Sequence, residues 1–266
     1  MRLETLISCM HQPDDSIAQK SNVKNDVVIV NQCDKNEMYR KEIVSDDGAQ
    51  LQLTMICTTE RGLSRSRNMA IAHATADICL IADDDEFFCD DAAKNILKAY
   101  EEYPEADLIT FKVEGSISSH KRYAQSTTKI GYLKALHISS VQITFRRQRI
   151  IEKGLEFDPE MGSGSGHGCG EEAKFLYDCL HKGLRIVHVP VTIASLVEGS
   201  ASQWFSGRTP RFFVNRGWAT ARYLGRPLAT VYAFYYAWAK RPEYKKETTT
   251  FQALKSMLYG IYHKTI

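Results

Sequence analysis

Short apolar runs recur along the first two thirds of the chain, and most stop abruptly in polar residues. Residues 5–10, 27–30, 51–57, 77–82, 108–113, 139–145 and 184–190 fit buried or half-buried strands, the last stopped by Pro190. Helices fit between them: residues 15–20, a stretch running into 69–74, a segment capped by Asp90 or Asp91 with Ile96, Leu97 and Tyr100 on one face, and residues 173–180. Strands and helices alternating at this spacing imply βαβ units, hence an α/β fold with a mostly parallel central sheet flanked by helices. In such sheets ligands sit beyond the carboxyl ends of the strands. Ser8 to His11, Asn31-Gln32 and Asp83 to Glu86 all fall at such ends.

Asp83-Asp84-Asp85-Glu86 closes the run Ile78-Cys79-Leu80-Ile81-Ala82 with four consecutive carboxylates. Like charges this close repel unless a counter-charge is present. A divalent cation, Mg²⁺ or Mn²⁺, supplies one and keeps positions open for phosphate oxygens. The plain alternative is a solvated acidic loop that caps the next helix. A second polar stretch, residues 162–170, holds five glycines in nine positions and delivers Glu171 and Glu172 to a helix start. Carboxylates at a helix N-terminus are stabilised in their ionised form, which suits a general base; they are also common as ordinary first-turn residues. Residues 114–134 are polar, with Ser118-Ser119-His120-Lys121-Arg122, and read as a loop over the sheet rim.

Several nucleotide chemistries drop out. The first glycine is Gly48, and neither G-x-G-x-x-G nor G-x-x-x-x-G-K-[ST] occurs. Seven cysteines lie scattered with no C-x-x-C pair, as expected of reduced cytosolic thiols. The 266 residues are 44% hydrophobic and 25% charged, the profile of a soluble globular protein. The N-terminus enters a strand pattern with Glu4 in place, unlike a signal peptide. The net charge of +2 conceals an asymmetry: from Trp204 onward eleven Lys/Arg face two Glu, a local +9, which leaves −7 on the first 203 residues. Residues 227–239 form an aromatic, apolar run flanked by Arg226 and Lys240-Arg241. Thirteen residues are too few to span a bilayer, so a membrane-surface helix and a helix packed on the core or a second subunit are the two readings. Those aromatics sit in an apolar run and make no stacking platform for nucleic acid.

Arg67-Asn68 opening a helix, followed by an acidic cluster at a strand end and then Gly170-Glu171-Glu172, resembles the inverting family 2 glycosyltransferases of the GT-A fold. The resemblance covers roughly residues 3–200. It implies a GT-A transferase domain over 1–203, a helical basic extension over 204–266, and transfer of a sugar from a UDP-linked donor to a glycan or lipid-linked oligosaccharide hydroxyl. Glu172, with Glu171 beside it, would be the base. Asp84, Asp85 and Asp83 would hold Mn²⁺ or Mg²⁺, with Asp83 favoured for the ribose. The family's first acid falls on Ala82, so the division among the three aspartates stays open. Ser8, His11 and Asn31 would meet base or ribose, Arg61 or Arg67 the diphosphate, and Trp204 a sugar ring. The setting implied is cytoplasmic, at the inner face of the membrane, in cell-surface polysaccharide synthesis, with oligomers allowed. Two rivals keep the same acids: a metal-dependent nucleotidyl- or phosphotransferase, and a non-catalytic carbohydrate-binding protein with a degenerate site.

Overall fold

The computed structural model describes residues 1–45, 48–115, 124–197 and 207–263. Its elements in chain order begin with β1 (Leu3–Met10), α1 (Ile17–Lys20), β2 (Asp26–Gln32), β3 (Glu37–Val44), β4 (Gln50–Thr58) and α2 (Leu63–His73). β5 (Ile78–Asp83), β6 (Glu86–Phe88), α3 (Ala92–Glu102), β7 (Leu108–Glu114), β8 (Thr128–Ile130) and α4 (Tyr132–Ala135) follow. A 3₁₀ turn (Ser140–Gln142) then leads into β9 (Ile143–Arg146), α5 (Arg147–Glu152), α6 (Glu171–His181) and β10 (Ile186–Leu196). The chain closes with α7 (Pro210–Ala239), α8 (Arg241–Tyr244) and α9 (Thr250–Tyr262).

The strands make one sheet in the order β3-β4-β2-β1-β5-β9-β7-β10-β6, with β8 also on β10. β4, β2, β1 and β5 are parallel neighbours, as are β7 and β10, while β3, β9, β6 and β8 run antiparallel to the strands beside them. The fold is thus the mixed α/β, mostly parallel sheet with flanking helices that the pattern predicts. Side chains alternate across the sheet with period two. Ile7, Ile29 and Leu80 pack into the core shared with α3, whereas Leu6, Val28 and Ile81 pack toward α2 and α6. The same parity turns Ser8 and Asp83 to the α2 face and Asn31 to the other.

Three expectations need correction. Pro190 does not stop its strand: β10 continues to Leu196, with pairing to β7 shifting register between His188 and Thr192. A proline cannot donate to the ladder, and an irregularity there removes the need. Asp91 occupies the N-cap of α3 but its side chain makes no capping bond. Glu86 is not a fourth rim acid, since it begins β6 and is buried.

The C-terminal helices form a hairpin. α7 changes direction at Gly225, whose φ of +74° is open to glycine, and Pro227 follows as the helix resumes. α9 packs back along α7 so closely that a Cβ at Gly217 would overlap the Met257 carbonyl, and one at Gly260 the Val214 carbonyl. Phe213, Ala229, Ala233, Met257 and Ile261 form the hairpin's own core. No helix of the described residues is long and apolar enough to cross a membrane.

Candidate active site

The register of the parallel strands sets the site. Ser8 pairs with Asp83, Met10 with Gln32, and Gln32 with Thr58, so the carboxyl ends of β1, β2, β4 and β5 form one continuous rim. α2 starts at that rim. Its N-cap Gly62 takes φ +122° and donates its N–H to Gln32 Oε1 at 2.7 Å. One turn into α2, Ser66 donates to Ser8 Oγ at 2.9 Å, and Arg67 projects under the rim.

Arg67 joins the two acidic groups that the sequence singles out. Its side chain is fully buried, and Nη2 donates to Asp83 Oδ1 at 2.9 Å and to Ser140 Oγ at 2.8 Å. Nη1 reaches Glu171 Oε1 at 3.3 Å. The guanidinium also lies over the Phe157 ring, 5.4 Å from its centroid. Asp83 and Glu171, separated by 88 positions in the chain, thus share one cation. The counter-charge demanded by the acid cluster is supplied in part by the protein.

The glycine-rich stretch docks on the N-terminus of α2. Leu63 N–H donates to the Ser163 carbonyl at 2.8 Å, and Ser64 Oγ to the Met161 carbonyl at 2.7 Å. Gly164, at φ +78°, approaches Gly62 so closely that a Cβ would lie 3.3 Å from its backbone. Asn68 pins the segment leading in, donating to the Phe157 carbonyl at 2.7 Å and accepting its N–H at 2.8 Å. Arg67-Asn68 does not open the helix as expected but sits one turn into it, and these contacts explain what the pair does there. Gly170, at φ +87°, then turns the chain into α6, whose first turn holds Glu171 and Glu172.

Electrostatics at that turn run against the expectation. The helix N-terminus predicts a lowered carboxylate pKa, but Glu172 is pushed up, first by burial and then by the neighbouring Glu171 charge. Desolvation near a like charge outweighs the helix dipole's modest pull. At the other end, Asp84 and Asp85 occupy the tight turn between β5 and β6. Asp84 reaches solvent yet is crowded by protein, and this partial desolvation, with the Asp83 charge, raises its pKa; Gln12 Nε2 donates to it at 3.3 Å, which opposes the rise. Glu86 is raised well above its ordinary value by burial, with the Asp83 charge adding to the effect.

The remaining rim residues are placed as follows. His11 is exposed at φ +51°, with its N–H on the Gln32 carbonyl. Asn31 spends its amide on Gln12, accepting the Gln12 N–H at 3.0 Å and donating to its carbonyl at 2.8 Å. Arg61 is stitched into the rim by the Cys33 and Thr58 carbonyls and by Asp34 at 2.8 Å. Trp204 and the segment 118–122 lie outside the described residues. Gln12, Ser140 and Trp218 carry no motif and are visible only in the structure. Trp218 of α7 stacks on His167 at 3.5 Å between centroids, tying the C-terminal hairpin to the glycine-rich loop.

A strand-end acid cluster on a mostly parallel sheet, tied to a glutamate pair over the rim, defines a GT-A-type nucleotide-sugar fold. The family model described as glycosyl transferase family 2 matches residues 8–164, and the chain belongs to that family. Among solved structures, Staphylococcus aureus TarS 1–349 in complex with UDP-GlcNAc is similar at TM-score 0.66 and 13% identity, covering 98% of this chain and 82% of that one. The same protein with UDP gives 0.63 at 11% identity, with 98% and 81% covered. The mannosyltransferase PcManGT from Pyrobaculum calidifontis, in complex with GDP-Man and Mn²⁺, gives 0.51 at 16% identity, covering 97% of this chain and 69% of that one. At these identities the likeness is one of fold. No curated protein sequence matches the chain.

Proposed function

We propose that the chain is an inverting hexosyltransferase that moves a sugar from a UDP-linked donor to a hydroxyl of a glycan or lipid-linked oligosaccharide, in cell-surface polysaccharide synthesis. Residues 1–203 would form the transferase domain and 204–266 an extension. The observation that carries the proposal is Arg67 bridging Asp83 and Glu171, because it holds the strand-end acids and the glutamate pair around one space. The UDP-GlcNAc complex of TarS supports a nucleotide-sugar donor on this fold.

Glu172 would take the acceptor proton. Glu171 is engaged by Arg67, which leaves its neighbour the freer carboxylate. A base with a raised pKa is strong while still ionisable near neutral pH. As the proton leaves, the acceptor oxygen attacks the anomeric carbon from the face opposite the diphosphate. The bond to the diphosphate oxygen breaks in the same displacement, inverting the centre. Asp83, faced by Arg67, would suit a ribose hydroxyl; of the base-side candidates His11 is exposed and could meet a ligand, whereas Ser8 and Asn31 are buried and bonded to Ser66 and Gln12, which suits them to shaping the rim.

Among the described residues no three His, Cys, Asp or Glu side chains form a ready-made metal cage. Mg²⁺ or Mn²⁺ held by one or two carboxylates plus phosphate oxygens needs none. Asp84 and Asp85 fit that role, since crowded negative charge at Asp84 is what a cation relieves. A bound ion there would neutralise charge on the departing diphosphate. Thermal shift with UDP, UDP-sugars and ATP, each with Mn²⁺ or Mg²⁺, tests the assignment. Stabilisation by UDP plus metal, with UDP release during turnover, supports it; ATP preference with pyrophosphate release favours a nucleotidyltransferase.

The second half of α7 supports a peripheral membrane setting. Its packed side is Ala229, Ala233, Tyr236 and Ala237, while its outer side exposes Leu228, Val231, Phe234, Tyr235 and Trp238 with no charged residue among them. Arg226 at one end and Arg241, Lys245 and Lys246 at the other bracket this face, complementary to anionic lipid. The intact chain should co-sediment with phosphatidylglycerol vesicles and less with phosphatidylcholine ones. Absence of binding to both, or a dimer that buries this face, would remove the membrane setting.

A further inference from the structure

Arg216, on α7, is a described arginine near the site that the proposed reaction does not use. Among the described residues it makes no ion pair and donates no side-chain hydrogen bond, and its Nε is buried without a partner. Its guanidinium lies over the rings of Phe212, at 5.1 Å, and Tyr236, at 4.6 Å. A guanidinium stays charged in any protein, and burying even one of its donors unbonded, as at Nε of this half-buried side chain, is costly. Ring faces offset part of that cost but satisfy none of the N–H groups. Arg216 Nε is one of five buried side-chain polar atoms left without a partner among the described residues, and unlike Arg67 its guanidinium has no acid beside it that would account for its place.

Its surroundings say which side of the site the ligand occupies. Cys169 of the glycine-rich loop lies next to Arg216, and that thiol also feels Glu171 and Glu172. Gly170 abuts Ala219 and Tyr223, in the α7 turn that follows Arg216. The phenols that approach the guanidinium are Tyr223, Tyr232 and Tyr236. Arg216 therefore stands beside the loop that carries the glutamate pair, where an acceptor must approach.

We infer that Arg216, with the Tyr232 and Tyr236 hydroxyls, forms a subsite for a phosphoryl group on the acceptor. A guanidinium presents two parallel N–H groups that match two phosphate oxygens, and phenol O–H groups complete an anion's shell. The inference rests on the transferase proposal only for calling the ligand an acceptor. Its test reads binding, so failure of transfer and failure of the subsite remain distinguishable.

The experiment titrates the intact chain, Arg216→Met and Arg216→Lys with sn-glycerol 3-phosphate and, separately, with UDP in metal-free buffer. Loss of one charge-assisted fork should weaken glycerol phosphate about tenfold or more in both variants, with UDP affinity within about twofold. Arg216→Met should also melt no lower than the parent in the absence of anions, since it removes a half-buried charge with an unbonded Nε and no acid partner. A tenfold loss of UDP affinity would move the anion to the donor side and overturn the acceptor assignment. Unchanged affinity for both ligands in Arg216→Lys, or a melting point several degrees lower for Arg216→Met with phosphate binding intact, would make Arg216 a packing residue and overturn the subsite. Arg216→Lys keeps charge and stem, so it reports even if the methionine variant folds poorly.

Discussion

Arg67→Met is the sharpest perturbation of the site. It keeps an unbranched apolar stem and removes the guanidinium that Asp83 and Glu171 share at 2.9 and 3.3 Å. Removing one partner of a buried ion pair costs about 3–5 kcal/mol, because the partner is left charged and dry. Asp83 retains 28% side-chain exposure and can rehydrate, whereas Glu171 retains 10%, so the lower end of that range applies, about 3 kcal/mol. For a chain of this size each kcal/mol moves the melting point by roughly 2–4 °C, giving a fall of about 6–12 °C. Urea unfolding followed by circular dichroism measures it, read from the midpoint at constant slope. The triple variant Arg67→Met, Asp83→Asn, Glu171→Gln carries none of the three charges and should recover at least half the loss. A loss below about 1 kcal/mol in the single variant, or a triple variant no more stable than the single, would refute the claim that Arg67 neutralises these acids.

Further outcomes follow from the same geometry. Glu172→Gln should lower kcat by about 10²–10⁴ while UDP binding holds within about twofold. The raised pKa of Glu172 has opposite consequences for rate and stability. As a base it needs its charge, so kcat/KM should climb with pH through the raised pKa. The fold prefers its neutral form, so relative to Glu172→Gln the parent should lose stability as pH rises above the free-glutamate value of about 4.3 toward that pKa, and a flat difference across this window contradicts the assignment. Gly164→Ala should cost about 1–3 kcal/mol by denaturation, since it combines a φ of +78° with a Cβ 3.3 Å from Gly62, while Gly166→Ala, which meets nothing, should stay within about 0.5 kcal/mol. Asp84→Asn with Asp85→Asn should abolish the added thermal shift of Mn²⁺ with UDP and leave the metal-free protein at least as stable, because Asp84 is held charged against crowding.

Much of the fold was legible because buried parallel strands are continuous apolar runs. β1, β2, β4, β5 and β7 each begin and end within two residues of the expected run. What escaped had no such signal. β3 is an edge strand whose residues are nearly all exposed or half-exposed, so no face of it needs to be apolar. β6 is three residues long, and its burial of Glu86 breaks the rule that charge marks surface. α7 begins at Pro210, well before the apolar run at 227–239, because its first half packs on the protein through small residues such as Gly217, Ala219 and Thr220.

The site was legible as charge at element ends and illegible as connection. Asp83 and Glu171 each stand out alone, but that one arginine serves both depends on how far residues 161–164 fold back onto the start of α2, which no local pattern encodes. Period-two alternation carries part of the answer. Ser8 and Asp83 share a parity that turns them toward α2, where Ser66 and Arg67, one helix position apart, meet them. Asn31 has the opposite parity, and its amide goes to the backbone of Gln12 instead of the cleft. A carboxylate at a strand's end is therefore a stronger site candidate when its parity faces a helix that starts at the same rim. By that criterion Asp83 qualifies from its register alone, while the acids of the following turn must draw their significance from a ligand that neutralises them.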